Sequence, residues 1–309
     1  MANTKPLNLE DYIEPLYMNG LQGRMLRVPA PKGRSREILF IYGHHASLER
    51  MFGFVEFLSR YGAVTMPDLP GLGGMESFYK LGMKPSIDNL ADYLAAFIKL
   101  RYKRRRVTIF GLSVGFSVVT RMLQKYPELV ERVDLLVSVV GFVHKDDFNF
   151  KRRDYYLLRY GATVFSNRLP AWLLRQFLLR PFIIRATYRH FADKHVKLKD
   201  ADSAERDRRI NFEILLWQKN DIRTHMDIGI TMLTLDLCKQ QVNLPVHHIY
   251  VDSDHFLDNH IVEQHMRIIY SDFDGAKSNM NGHSQTVIAT AKDVAPFFPR
   301  KIRSLLKSS

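Results

Sequence analysis

The 309-residue chain is expected to fold as an α/β protein, with a mostly parallel central sheet flanked by helices and a helical segment inserted before the last strands. Three observations lead there. Over the first 140 residues, short β-rich apolar runs alternate with stretches of helical spacing. Those runs are continuously apolar, as strands buried on both faces are. After about residue 144 the alternation stops, and it resumes only near Pro245.

Taken in order, residues 37–42 (Glu-Ile-Leu-Phe-Ile-Tyr) form a strand ended by Gly43, 48–61 a helix and 63–66 the next strand. Ser86 caps a helix over 86–101, in which Ile87, Leu90, Tyr93, Leu94, Phe97 and Ile98 recur at helical spacing. A strand at 107–110, a helix at 116–126 and a strand at 134–140 follow. Pro170 and Pro181 divide the aromatic, Leu-rich stretch 155–190 into several short helices, and helix continues over 201–239. Strands are expected at 246–251 and, last, at 266–270. The core domain is therefore 1–144 with 240–309, and 145–239 is a helical cap.

Hydrophobic residues at 46% and charged ones at 25% describe a globular chain with a sizeable core and argue against disorder. Cys238, the one cysteine, excludes an internal disulfide framework. The N-terminal segment has no apolar leader region and no run approaches 18 apolar residues, so a cytoplasmic protein without a membrane span is expected. The formal charge of +13 is unevenly placed: residues 145–200 hold 13 Lys/Arg against 5 Asp/Glu. A second basic knot comprises Arg101 and residues 103–106. The first reading is a solvated basic surface. The second is peripheral contact of the cap with anionic membrane. No nucleic-acid partner is expected.

Chemistry concentrates at Gly111-Leu-Ser-Val-Gly115, a G-x-S-x-G pattern directly after one expected strand and before one expected helix. Such a turn exposes the Ser113 hydroxyl at the C-terminal edge of the sheet, and the helix N-terminus favours developing negative charge. A serine needs a base, oriented in turn by an acid, and on this arrangement the acid and then the histidine follow it along the chain. His283, in the polar loop after the last strand, is the only histidine after position 265 and is the candidate base. The acid is Asp254, with Asp252 the runner-up. Asp258 is read as a loop cap, and Asp146 or Asp147 as remote candidates. Two backbone amides should hold an oxyanion, one from Val114 and one from His44 in the loop after the first strand. His44 and His45 are adjacent and cannot share one ion, His247 and His248 point to opposite faces of a strand, and no histidine set has ligand spacing, so no metal and no cofactor is expected.

With these residues in view, the chain resembles the α/β-hydrolase superfamily, specifically its capped members with a serine nucleophile. The resemblance rests on Ile41-Tyr-Gly-His44, Pro67-Asp-Leu-Pro-Gly-Leu-Gly73, Gly111-Leu-Ser-Val-Gly115, the Asp254 segment and His283, covering roughly 35–144 and 240–305. Tyr42 stands where the superfamily usually has His, and Leu112 and Phe116 depart from its commoner elbow residues. The resemblance implies acyl transfer to water through a Ser-Asp-His triad, acting on a carboxylic ester such as a medium-chain acyl ester or a monoacylglycerol-like molecule. Serine at the elbow argues against relatives that form alkyl-enzyme esters. Thioester hydrolysis, C–C hydrolysis, peptide cleavage and acyl transfer to another acceptor use the same triad. A non-catalytic, membrane-associated binding protein is the reading from a different class.

Overall fold

The computed structural model describes residues 7–190, 202–252, 254–280, 283 and 290–307. The chain enters through strands β1 (Ile13–Met18) and β2 (Leu21–Val28). It continues as β3 (Glu37–Ile41), α1 (Leu48–Leu58), β4 (Ala63–Pro67), α2 (Ile87–Tyr102), β5 (Val107–Leu112), α3 (Val114–Lys125) and β6 (Val133–Val139). A helical segment follows: α4 (Arg152–Phe165), α5 (Arg168–Leu173), a π turn (Leu174–Leu178), α6 (Pro181–His190), α7 (Ser203–Lys219) and α8 (Ile222–Thr234). The chain then rejoins the sheet as β7 (Val242–Tyr250), α9 (Asn259–Ile269) and β8 (Tyr270–Lys277), and ends in α10 (Ala291–Val294) and α11 (Arg300–Lys307).

The eight strands form one sheet in the order β1-β2-β4-β3-β5-β6-β7-β8. From β4 to β8 neighbours are parallel, while β2 runs antiparallel to both β1 and β4. The central strand β5 is buried along its whole length, as its uninterrupted apolar run requires. α2 and α3 pack on each other, and α1 packs against α10. Phe57 of α1 stacks on Phe298, 4.5 Å between ring centroids. Helix starts follow side-chain caps: the Arg50 amide donates to Ser47 and the Asn89 amide to Ser86.

Two expectations need correction, and one hairpin lies outside every expectation. The β1–β2 hairpin was not anticipated, although Asn19-Gly20 is a two-residue turn signal; both residues have positive φ, 52° and 79°. Residues 266–269 are helix, not strand. Val262, Met266 and Ile269 form the buried face of α9, and the edge strand β8 begins only at Tyr270. The helix expected over 201–239 is two helices that stop at Thr234, because Asn220 is extended, Asp221 caps α8 by accepting the Thr224 amide at 2.8 Å, and Leu235 is extended; residue 201 lies outside the described residues.

The register brings several strand ends to one edge. Ile41 lies beside Gly111, Leu112 beside Val139, and Val139 beside Ile249. The loops after β3, β5 and β7 therefore leave the sheet together.

Candidate active site

Ser113 joins β5 to α3 with φ 51° and ψ −125°, a backbone state rare outside glycine. Its amide donates to the Val139 carbonyl at 3.0 Å, which fixes the turn to the sheet. The flanking glycines are required by close approach. A Cβ at Gly115 would overlap the carbonyl oxygens of Ile41 and Tyr42, and one at Gly111 would stand 2.5 Å from Phe116 Cα. The same proximity lets the loop after β3 run against the serine: a Cβ at Gly43 would lie 3.0 Å from that of Ser113.

His283 and Asp254 meet the serine from the other side. His283 Nε2 is 3.1 Å from Ser113 Oγ, and His283 Nδ1 is 2.6 Å from Asp254 Oδ2. The second oxygen of Asp254 accepts the amides of Phe256 at 2.8 Å and Leu257 at 3.2 Å. Burial alone would raise this carboxyl. The bond and charge of His283, with the two amides, outweigh it and hold the group below the ordinary aspartate range. Proton placement follows: Asp254 ionised, Nδ1–H donating to it, and Nε2 accepting from the serine hydroxyl.

The other acid candidates are engaged elsewhere. Asp252 pairs with Lys277 on the surface. Asp258 caps α9. Asp147 accepts the Val143 and His144 amides and lies 2.5 Å from His265, and Asp146 is exposed. His247 faces Asp274 and His248 faces Ser138, on opposite sides of β7. Among the described residues no cluster of three or more His, Cys, Asp or Glu is arranged to hold a metal ion.

Val114 opens α3, so its amide has no acceptor within the helix, and among the described residues neither it nor the His44 amide donates to a backbone carbonyl. The His44 ring turns away and donates from Nε2 to the His225 carbonyl at 2.9 Å, while stacking on the His225 ring at 3.9 Å. Burial, reinforced by His45, pushes His44 down to about 4, and burial with the same neighbours pushes His225 well below its usual value. His45 reaches Glu213 of α7 at 3.1 Å and packs near Trp217 at 4.6 Å. His225, Glu213 and Trp217 escaped the sequence reading. No local pattern marks them, since their contacts with the β3 loop span more than 160 residues.

Tyr42 explains its own departure from the usual histidine. It is fully buried, its hydroxyl donates to Asp68 at 2.8 Å, and it accepts the Leu69 amide at 2.9 Å. The loop after β3 is thus bolted to the loop after β4. Arg24 of β2 adds a second bond to Asp68 and an ion pair with Glu49.

The eight-stranded, mostly parallel sheet, with a serine at the strand-to-helix turn and a histidine and an acid returning from later loops, is the α/β-hydrolase fold. Solved structures share it. The chain superposes on an esterase (EaEST) from Exiguobacterium antarcticum with a TM-score of 0.66 at 15% identity, covering 96% of this chain and 99% of that one. An epoxide hydrolase, CorEH, gives 0.64 at 15% identity over 96% and 97%. An enol-lactonase from Burkholderia xenovorans gives 0.59 at 13% over 86% and 91%. Among curated proteins, Protein ABHD8 of Bos taurus is 31% identical over 113 residues, 36% of this chain and 26% of that protein. Protein ABHD8 of Homo sapiens shows the same identity over 25% of its length, so this chain matches about a quarter of these relatives. No protein-family model matches.

Proposed function

We propose that the protein is a serine hydrolase that cleaves a carboxylic ester through an acyl-enzyme on Ser113. The observation that carries this reading is the continuous hydrogen-bonded run from Ser113 through His283 to Asp254, at 3.1 and 2.6 Å. In the first half-reaction Ser113 Oγ attacks the ester carbonyl carbon while its proton passes to His283 Nε2. The negative charge gathers on the former carbonyl oxygen, where the Val114 and His44 amides donate to it. Collapse breaks the bond to the alcohol oxygen, which leaves with the proton from His283. Water then gives a proton to His283, attacks the acyl carbon, and the acid departs as Ser113 recovers its hydrogen. Asp254 stays ionised throughout and steadies the imidazolium.

The helical segment between β6 and β7 acts as a cap, bringing Trp217 and His225 over the oxyanion loop. Both rings of the His44–His225 stack stay neutral at about pH 7. Phe256 packs edge-on to His283 at 5.5 Å. These aromatic surroundings suit an apolar acyl chain, hence a medium-chain or monoacylglycerol-like ester. The names esterase and enol-lactonase borne by structural neighbours agree with ester chemistry.

Intact-protein mass spectrometry after a fluorophosphonate probe tests this directly. One adduct is expected on the wild type and none on Ser113→Ala or His283→Ala. Folded wild type that takes no adduct would overturn the assignment of an activated serine.

A further inference from the structure

The outer surface of α4, α5, the π turn and α6 is apolar where a cap that only covered a core would be polar. Among the described residues sixteen large hydrophobic side chains are exposed, and ten of them fall between Tyr156 and Phe182. They include Tyr160 at 73% exposure, Phe182 at 70% and Phe177 at 62%. These side chains are not needed to hold the helices in place. α4 packs on α8 and α5, and Ala171 and Ile184 are the buried anchors of α5 and α6. Ile184 shares a small core with Ile210 and Ile214 of α7.

The charge on the same stretch is one-sided. Residues 151–190 contain nine Lys/Arg and a single acid, Asp154. Beside Trp172, at the junction with the core, opens a cavity of about 410 Å³ lined by Arg168, Arg175, Lys219 and Arg223. Its acids are engaged, Glu76 by Lys80 and Asp221 as the cap of α8, and Lys219 is engaged too, by Glu49, which leaves the positive charge of Arg168, Arg175 and Arg223. Exposed aromatics interleaved with arginine, next to a basic recess, match a surface of acyl chains under anionic headgroups.

We propose that α4–α6 dock this protein on anionic phospholipid membrane, with Tyr160, Trp172, Phe177 and Phe182 entering the interface and the basic recess seating headgroup phosphate. Among the described residues no helix is long and apolar enough to cross a bilayer.

Co-sedimentation of the full chain with phosphatidylcholine vesicles, with and without phosphatidylserine, tests the proposal without reference to turnover. The wild type binds the phosphatidylserine vesicles, more weakly as salt rises, with a blue shift in tryptophan emission that Trp172→Phe removes. Arg152→Ser with Arg153→Ser weakens binding about 30-fold, both side chains being exposed. Phe177→Ser with Phe182→Ser, also exposed and so harmless to folding, abolishes the binding. Failure of the folded wild type to bind, or binding that the phenylalanine pair leaves intact, would overturn the proposal. So would a dimer in gel filtration that the same pair dissolves, since the face would then belong to a second copy of the chain.

Discussion

Asp254 uses its two oxygens for different ends: Oδ1 holds the turn through two amides, and Oδ2 holds the His283 tautomer. Asp254→Asn keeps an acceptor for the amides but leaves Nδ1–H without a carboxylate. Turnover of any ester substrate should fall about ten-thousand-fold, the scale seen when a triad aspartate becomes an amide. Asp252→Asn, which loses only the surface pair with Lys277, should change it by less than about twofold. The reverse order in an ester-hydrolysis assay would transfer the orienting role to Asp252. Ser113 was legible in the sequence because its turn is local: strand, two glycines and helix all lie within a few residues. His283 was legible by its place in chain order. Asp254 ranked first with Asp252 left open behind it, because two aspartates in one loop differ only in which way the turn points them. His225 was invisible, since its partner His44 is 181 residues away.

At the scale of elements, the crossing of α3 over β3 is a tight joint beside the site. Gly115→Ala has no flexible neighbour to displace, only backbone oxygens, so the helix must move away from the strand end. A stability loss of about 3 kcal/mol is expected from such overpacking, together with weaker probe labelling at Ser113. Denaturant midpoints beside labelling rates would check both; an unchanged midpoint would show that the joint has slack. Periodicity found β3 to β7 because each is a buried strand with one dominant pattern. It failed at α9 and β8, where the helix supplies the apolar run 266–269 and the edge strand, half exposed, reads as polar. It also passed over β1 and β2, whose alternating burial is weak next to the central strands.

Across the whole molecule, three histidines lie buried and neutral: His44 pushed down to about 4, His248 to about 3, and His225 well below its usual value, in each case chiefly by burial. Unfolding frees them to bind protons below their ordinary value of 6.5, so the unfolded state gains protons and stability falls as pH drops from there toward 4. Asp68 opposes this, because burial lifts it to about 7 and its folded form keeps a proton the unfolded chain has lost. The histidines outweigh it, so net stability falls as pH drops from about 7 toward about 5. Denaturant titrations at about pH 7 and about pH 5 should show it, and equal midpoints would mean the rings are protonated or solvated in the folded state. The sheet also has a consequence for how such a protein can diversify. His144 pairs with Asp236, and the Lys145 amide donates to the Leu235 carbonyl at 2.8 Å, so the helical excursion between them starts and finishes at the same place. Closing a loop twice as long costs only about 0.6 kcal/mol more. Insertions, deletions or wholesale replacement of those helices can therefore be sampled by evolution while the serine, histidine and aspartate keep their spacing, and substrate range can drift without the reaction centre being rebuilt.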